Sequence, residues 1–154
     1  TGRWPTDLPG LPLTMFLGTA ILLVSSGTMQ LAIGAARQGN QEISARRLLT
    51  TFILGAAFLL VQSMGWWTWL QAIGERWDDS QAYRFALAGY YVLTGLHAMH
   101  VLGGLLALAW TCYRAYAGAY TARDHLGVRA CGTYWHFLLV IWLLIYAGLL
   151  LTSP

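Results

Sequence analysis

Lysine is missing altogether from this 154-residue chain, and acids are scarce: six aspartates and glutamates stand against nine arginines, and charged residues make up 10% of the total. A soluble globular domain carries about 25% charge, so this chain has too few ionic groups to cover a water-facing surface. Cysteine is limited to Cys112 and Cys131, too few for a disulfide scaffold. No run of basic and aromatic residues offers a nucleic-acid surface. There is no phosphate-cradling glycine loop, no nucleophile elbow and no pair of carboxylates inside an apolar stretch, which excludes the commoner forms of autonomous catalysis. Low-complexity tracts, internal repeats and long linkers are absent too, leaving a single domain over residues 1–154.

What remains is apolar. Hydrophobic residues are 57% of the chain and the mean hydropathy is +0.53. Four runs, about 11–36, 48–73, 85–113 and 134–151, each approach or exceed the ~20 residues a helix needs to cross a bilayer, and the helix of the last and shortest is expected to begin near 126 and so to cover 126–151. The spacing predicts an all-α, polytopic membrane bundle of four transmembrane helices. Pro9 and Pro12 suit the start of the first, because a first-turn proline gives up only an amide with no intrahelical acceptor.

Arginine placement predicts an orientation. Arg37, Arg46 and Arg47 separate runs one and two, and Arg114, Arg123 and Arg129 separate runs three and four. Only Arg3, Arg76 and Arg84 lie on the other side, among Asp7, Glu75, Asp78 and Asp79. Basic loops stay in the cytoplasm, so both termini are expected on the outer, periplasmic side. Cys112 and Cys131 then sit near the inner face, where thiols stay reduced. The first eleven residues are polar and proline-punctuated and lack a secretory h-region. Two aromatic belts agree with this arrangement: Trp4, Trp66, Trp67, Trp69, Trp77, Tyr90 and Tyr91 outside, Trp110, Tyr113, Tyr116, Tyr134 and Trp135 inside.

Polar groups within the runs carry the functional question. Gln30 and Gln62 have carboxamides that need a partner on another helix. Gly18, Gly27, Gly34, Gly55, Gly65, Gly95, Gly103 and Gly104 would let backbones approach. Along run three, Thr94, His97, His100, Gly104 and Ala107 recur every three or four residues and so form one expected packing stripe. His136 follows in YWHF beside Trp135, which is also counted as a packing residue. Three imidazoles suit a zinc, copper or iron site, and intramembrane histidines also serve proton transfer. With no acid inside the spans, with the two thiols confined to their inner ends, and with His136 shallow if run four starts at Tyr134, the expected role is hydrogen-bonded structural imidazoles. Metal and catalytic residues are expected to be none.

Three stretches together resemble subunit III of the haem-copper oxygen reductases. LTGLHAMHVLGG (93–104) is similar to the family's TGFHGLHV signature, YWHFLLVIWLLIY (134–146) to WHFVDVVW, and LPLTMFLGTAILLVSSGTM (11–29), after Trp4-Pro5, to LPLLNTAILLSSG. The end of run two, LLVQSM, resembles LQAYEY. The resemblance implies a non-catalytic subunit with no cofactor of its own. Haem and copper would sit in partner subunits, subunit I would be the main contact, and phospholipid would be bound. It implies a terminal oxidase of cytochrome c or quinol type in a bacterial cytoplasmic or equivalent energy-transducing membrane, supporting proton uptake and turnover stability. Nitric oxide reductase-type assemblies and an independent histidine-ligated membrane protein are the alternatives, with a transporter lined by Gln30, Gln62 and the histidines a more distant one. The sequence departs from the family in lacking helices before the tryptophan-proline loop, and in placing Gly65 and Leu139 where the motifs carry glutamate and aspartate.

Overall fold

A computed structural model describes residues 13–74 and 81–152; Trp4, Pro5, Pro9, Pro12, Trp77 and the charged residues Arg3, Asp7, Glu75, Arg76, Asp78 and Asp79 lie outside the described residues. Four helices make up the fold: α1 (Leu13–Arg37), α2 (Gln41–Gly74), α3 (Gln81–Tyr116) and α4 (Leu126–Thr152). All four are long and apolar enough to cross a membrane. Each helix packs on two others, α1 and α3 both lying against α2 and α4, so the four close into a ring.

The helices differ from the apolar runs at their ends. α2 begins at Gln41, not near 48, and α3 spans Gln81–Tyr116 where the run covered 85–113. Hydropathy marks the bilayer segment, whereas caps and ion pairs decide where a helix stops in the headgroup region. Asn40 supplies the carbonyl that accepts the Ser44 amide, Glu42 favours the first turn of α2, and Arg46 pairs with Glu42 at 2.6 Å. α1 ends in a left-handed residue, Gly39 (φ 75°), with Asn40 N–H donating to Ala35 and Gly39 N–H to Ala36. α3 ends the same way at Gly118 (φ 74°), with Ala119 donating to Arg114. The two loops touch, since a Cβ on Gly39 would meet Ala122 and one on Gly118 would meet Gln41. All six arginines of these loops therefore gather at one end of the bundle. Arg47 donates to the Leu31 carbonyl at 2.9 Å, and Arg114 lies over the Tyr120 ring.

The aromatic belts divide on inspection. Trp67, Trp110, Tyr113 and Tyr116 are exposed, as interfacial anchors are. Trp135 is not: it is 1% exposed in the bundle core. Tyr90 and Tyr146 are buried with Met15 at the end opposite the arginines, packed against Trp66, Trp69 and Tyr91. Cys112 and Cys131 are buried and unbridged.

Candidate functional site: two tryptophan tiers and three histidines

Two tryptophans seven residues apart on α4, Trp135 and Trp142, occupy the centre of the ring. Seven residues are close to two helical turns, so both rings leave the same face of α4. Trp135 donates its indole N–H to Ser25 Oγ on α1 at 3.1 Å. Its six-membered ring covers Gly55 of α2 and Gly104 of α3, where an added Cβ would lie 2.6 Å and 3.3 Å from ring carbons. Trp142 repeats the pattern nearer the opposite end. Its N–H reaches Thr19 Oγ1 on α1 at 3.0 Å, Phe58 of α2 meets it edge-on at 5.3 Å, and His97 of α3 stacks on it at 5.2 Å. Each tryptophan therefore touches one residue from every other helix.

Between the Trp135 tier and the arginine-rich end, polar side chains are bonded. Ser25 Oγ–H donates to the Thr51 carbonyl at 3.2 Å, and the Thr28 and Thr51 hydroxyls lie 2.8 Å apart. Ser44 Oγ–H donates to the Ala32 carbonyl at 3.0 Å. Uncharged bonds of this kind hold helices together in lipid, at about 0.6 kcal/mol each on average.

The three membrane histidines have three environments. His136 turns toward α1, where Nε2 lies 3.1 Å from Gln30 Oε1 and Nδ1 meets Ser26 Oγ. A carboxamide oxygen only accepts, so Nε2 carries the proton and Nδ1 accepts from the serine. His100 is exposed on α3 and donates Nδ1–H to its own-helix Leu96 carbonyl at 2.6 Å, while the carbonyl of His100 accepts the Tyr134 hydroxyl at 3.0 Å. His97 is 4% exposed between Phe58 and Trp142, and neither ring nitrogen has a hydrogen-bond partner.

Depth does not keep these histidines apart. α4 starts at Leu126, so Tyr134 and Trp135 lie level with His100 and Gly104. Direction separates them: His136 faces α1, whereas His97 and His100 border a groove between α3 and α4. No cluster of three or more histidine, cysteine, aspartate or glutamate side chains that could hold a metal ion occurs among the described residues.

The expected stripe on α3 is also reapportioned. Thr94, His97 and Gly104 are buried, joined by Val101, Leu105 and Leu108, whereas His100 and Ala107 are exposed. The period that matters is nearer seven residues per two turns, as knobs into a neighbouring helix require. Gln62 is buried with its Oε1 unpartnered, and Gln30 is exposed yet bonded across helices. Gly18, Gly55, Gly65 and Gly104 do sit under other helices, but Gly27, Gly34 and Gly95 face open space. Trp142, the centre of the second tier, was not singled out by sequence reasoning, although its spacing from Trp135 could have marked it.

A family model described as "Cytochrome c oxidase subunit III" matches residues 5–152. "Cytochrome c oxidase subunit 3" of Scyliorhinus canicula is 32% identical over 149 residues, covering 97% of this chain and 53% of that protein. The protein of the same name from Pelomedusa subrufa is 32% identical over 151 residues, with 97% and 53% covered. "Probable cytochrome c oxidase subunit 3" of Nocardia farcinica is 29% identical over 148 residues, with 95% and 70% covered. The chain spans about half the length of the first two relatives.

Proposed function

Because the chain belongs to the cytochrome c oxidase subunit III family, we propose that it is a non-catalytic, membrane-embedded subunit of a terminal oxidase, stabilising the catalytic subunit during turnover. Family membership across residues 5–152 is the observation that carries this reading. The site geometry supports it. The indole N–H groups of Trp135 and Trp142 and the imidazole of His136 join α4 to α1, and the three imidazoles diverge instead of surrounding one ligand. In this reading, haem and copper belong to partner subunits, with subunit I as the main contact. Phospholipid fills the remaining lipid-facing grooves. The bacterial cytoplasmic membrane is its place, with the arginine-rich end inside and both termini outside. No carboxylate lies in the middle of the spans, so the chain supports proton uptake by holding its partner in place and not by carrying the proton itself.

The test is purification of the tagged chain from native membranes in mild detergent. Haem-bearing subunits should come with it in fixed stoichiometry, and the chain stripped of them should show no haem absorbance. A haem band retained by the isolated chain and lost in His100→Ala would overturn the reading.

A further inference from the structure

α3 and α4 enclose a groove of about 320 Å³ open toward the lipid side, walled by Leu96, Phe137, Ile141 and Leu144 beside His97 and His100. A volume of this size and an apolar wall with a few polar groups are what binding grooves between helices show. Two facts make it more than packing slack. His97 is buried with both nitrogens unpartnered among the described residues. In His100, Nδ1–H is committed to the Leu96 carbonyl, which only accepts, so Nε2 is left as an acceptor.

An unpartnered imidazole within hydrocarbon is costly, and depth selects what can relieve it. The α3 span runs Leu87–Tyr116, which puts both histidines within roughly 7 Å of its midpoint at 1.5 Å per residue. Lipid headgroups start ~15 Å from the bilayer centre, half of a ~30 Å core. Acyl chains could fill the groove but would leave the imidazoles unmet, and a wall this apolar does not hold water. A side chain on another helix can reach this level with a hydrogen bond. We propose that the α3/α4 groove seats a transmembrane helix of a partner subunit, which presents a hydrogen-bond donor, a hydroxyl, carboxamide or protonated carboxyl group, to His100 Nε2 beside the buried His97. An ionised carboxylate is mismatched, since both it and Nε2 accept. The inference rests on the reading of the chain as a subunit of a larger assembly, and it names the surface on which that assembly forms.

The experiment is photo-crosslinking in the intact complex, with a benzophenone amino acid at Leu96 or at Ile141 and mapping of the adducts by mass spectrometry. The expected adduct is a membrane-spanning peptide of a partner subunit that contains a hydroxyl, amide or carboxyl residue. His100→Leu should reduce recovery of that partner about three- to tenfold, the effect of one interhelical hydrogen bond, and His100→Gln, which restores an acceptor, should recover much of it. His100 is exposed, so these variants leave the fold of the chain itself intact, as its unfolding midpoint in detergent will verify. Adducts only to lipid, to a second copy of the chain or within the same chain would overturn the assignment, as would unchanged recovery in His100→Leu. Copurification of oxidase subunits without a helix adduct sinks the groove assignment alone. Failure of any subunit to copurify sinks both readings.

Discussion

Replacing Trp135 with phenylalanine removes two things at once: the indole N–H that binds Ser25 Oγ at 3.1 Å, and the part of the ring that covers Gly55. The lost interhelical bond contributes about 0.6 kcal/mol and at most ~1.7. The void left over Gly55 is on the order of 40 Å³, which at ~24 cal/mol per Å³ adds about 1 kcal/mol. Trp135→Phe should therefore cost about 2 kcal/mol. Ser25→Ala leaves the ring in place but strands the indole N–H and also removes the 3.2 Å bond to the Thr51 carbonyl, so its cost mixes two contacts. The double variant separates them: the coupling between positions 25 and 135 should be about 0.6–1.7 kcal/mol. Reversible unfolding in mixed detergent and SDS, followed by tryptophan fluorescence and by helicity, gives the four free energies. A Trp135→Phe cost under about 0.3 kcal/mol, or a coupling indistinguishable from zero, would refute the view that this tier ties α4 to α1 and α2.

Gly55→Ala should destabilise by about 1–3 kcal/mol, because its Cβ would lie 2.6 Å from a Trp135 ring carbon, whereas Gly27→Ala faces open space and should stabilise by up to ~1 kcal/mol through helix propensity; the same unfolding assay compares them, and equal effects would contradict the packing described. His136→Leu forfeits the bonds to both Ser26 and Gln30 and should cost about 1–3 kcal/mol, read as a lower SDS midpoint. Cys112 and Cys131 are buried and unbridged, so maleimide should label them slowly in the folded protein and fully after SDS unfolding, without prior reduction.

The four spans and their all-helical character were legible because hydrophobic length is a bilayer-scale property. α2's early start was not, since it depends on a cap at Asn40 and an ion pair lying outside the apolar run. Trp135 shows a different limit. Near a run's end a tryptophan reads as an interfacial anchor, yet with α4 beginning at Leu126 the residue moves a full two turns inward and becomes core. Histidine spacing revealed that His97 and His100 share a region of α3, but not that they are only neighbours there: a three-residue step turns the helix about 300°, enough to bury one ring against Trp142 and leave the other exposed. The Gln30–His136 bond joins residues on α1 and α4 whose proximity depends on the closure of the ring, which no local pattern encodes.

The two positions where the family motifs carry acids explain why the polar network has the form it does. Gly65 faces Thr14 of α1, and a Cβ there would fall 2.5 Å from Thr14 Oγ1. A glutamate at that place would have to push α1 away from α2, so the absence of the acid and the closeness of the helices are one feature. Leu139 packs, half-buried, against the central core cluster between the two tryptophan tiers. An aspartate there would bring an ionised group beside Trp135 and Trp142 at a heavy desolvation cost. With neither acid present, the imidazoles have no carboxylate to pair with: His136 is met by neutral Ser26 and Gln30, His100 by a backbone carbonyl, and His97 by aromatic faces alone. His97, whose two ring nitrogens have no hydrogen-bond partner among the described residues, lines the groove between α3 and α4 together with His100.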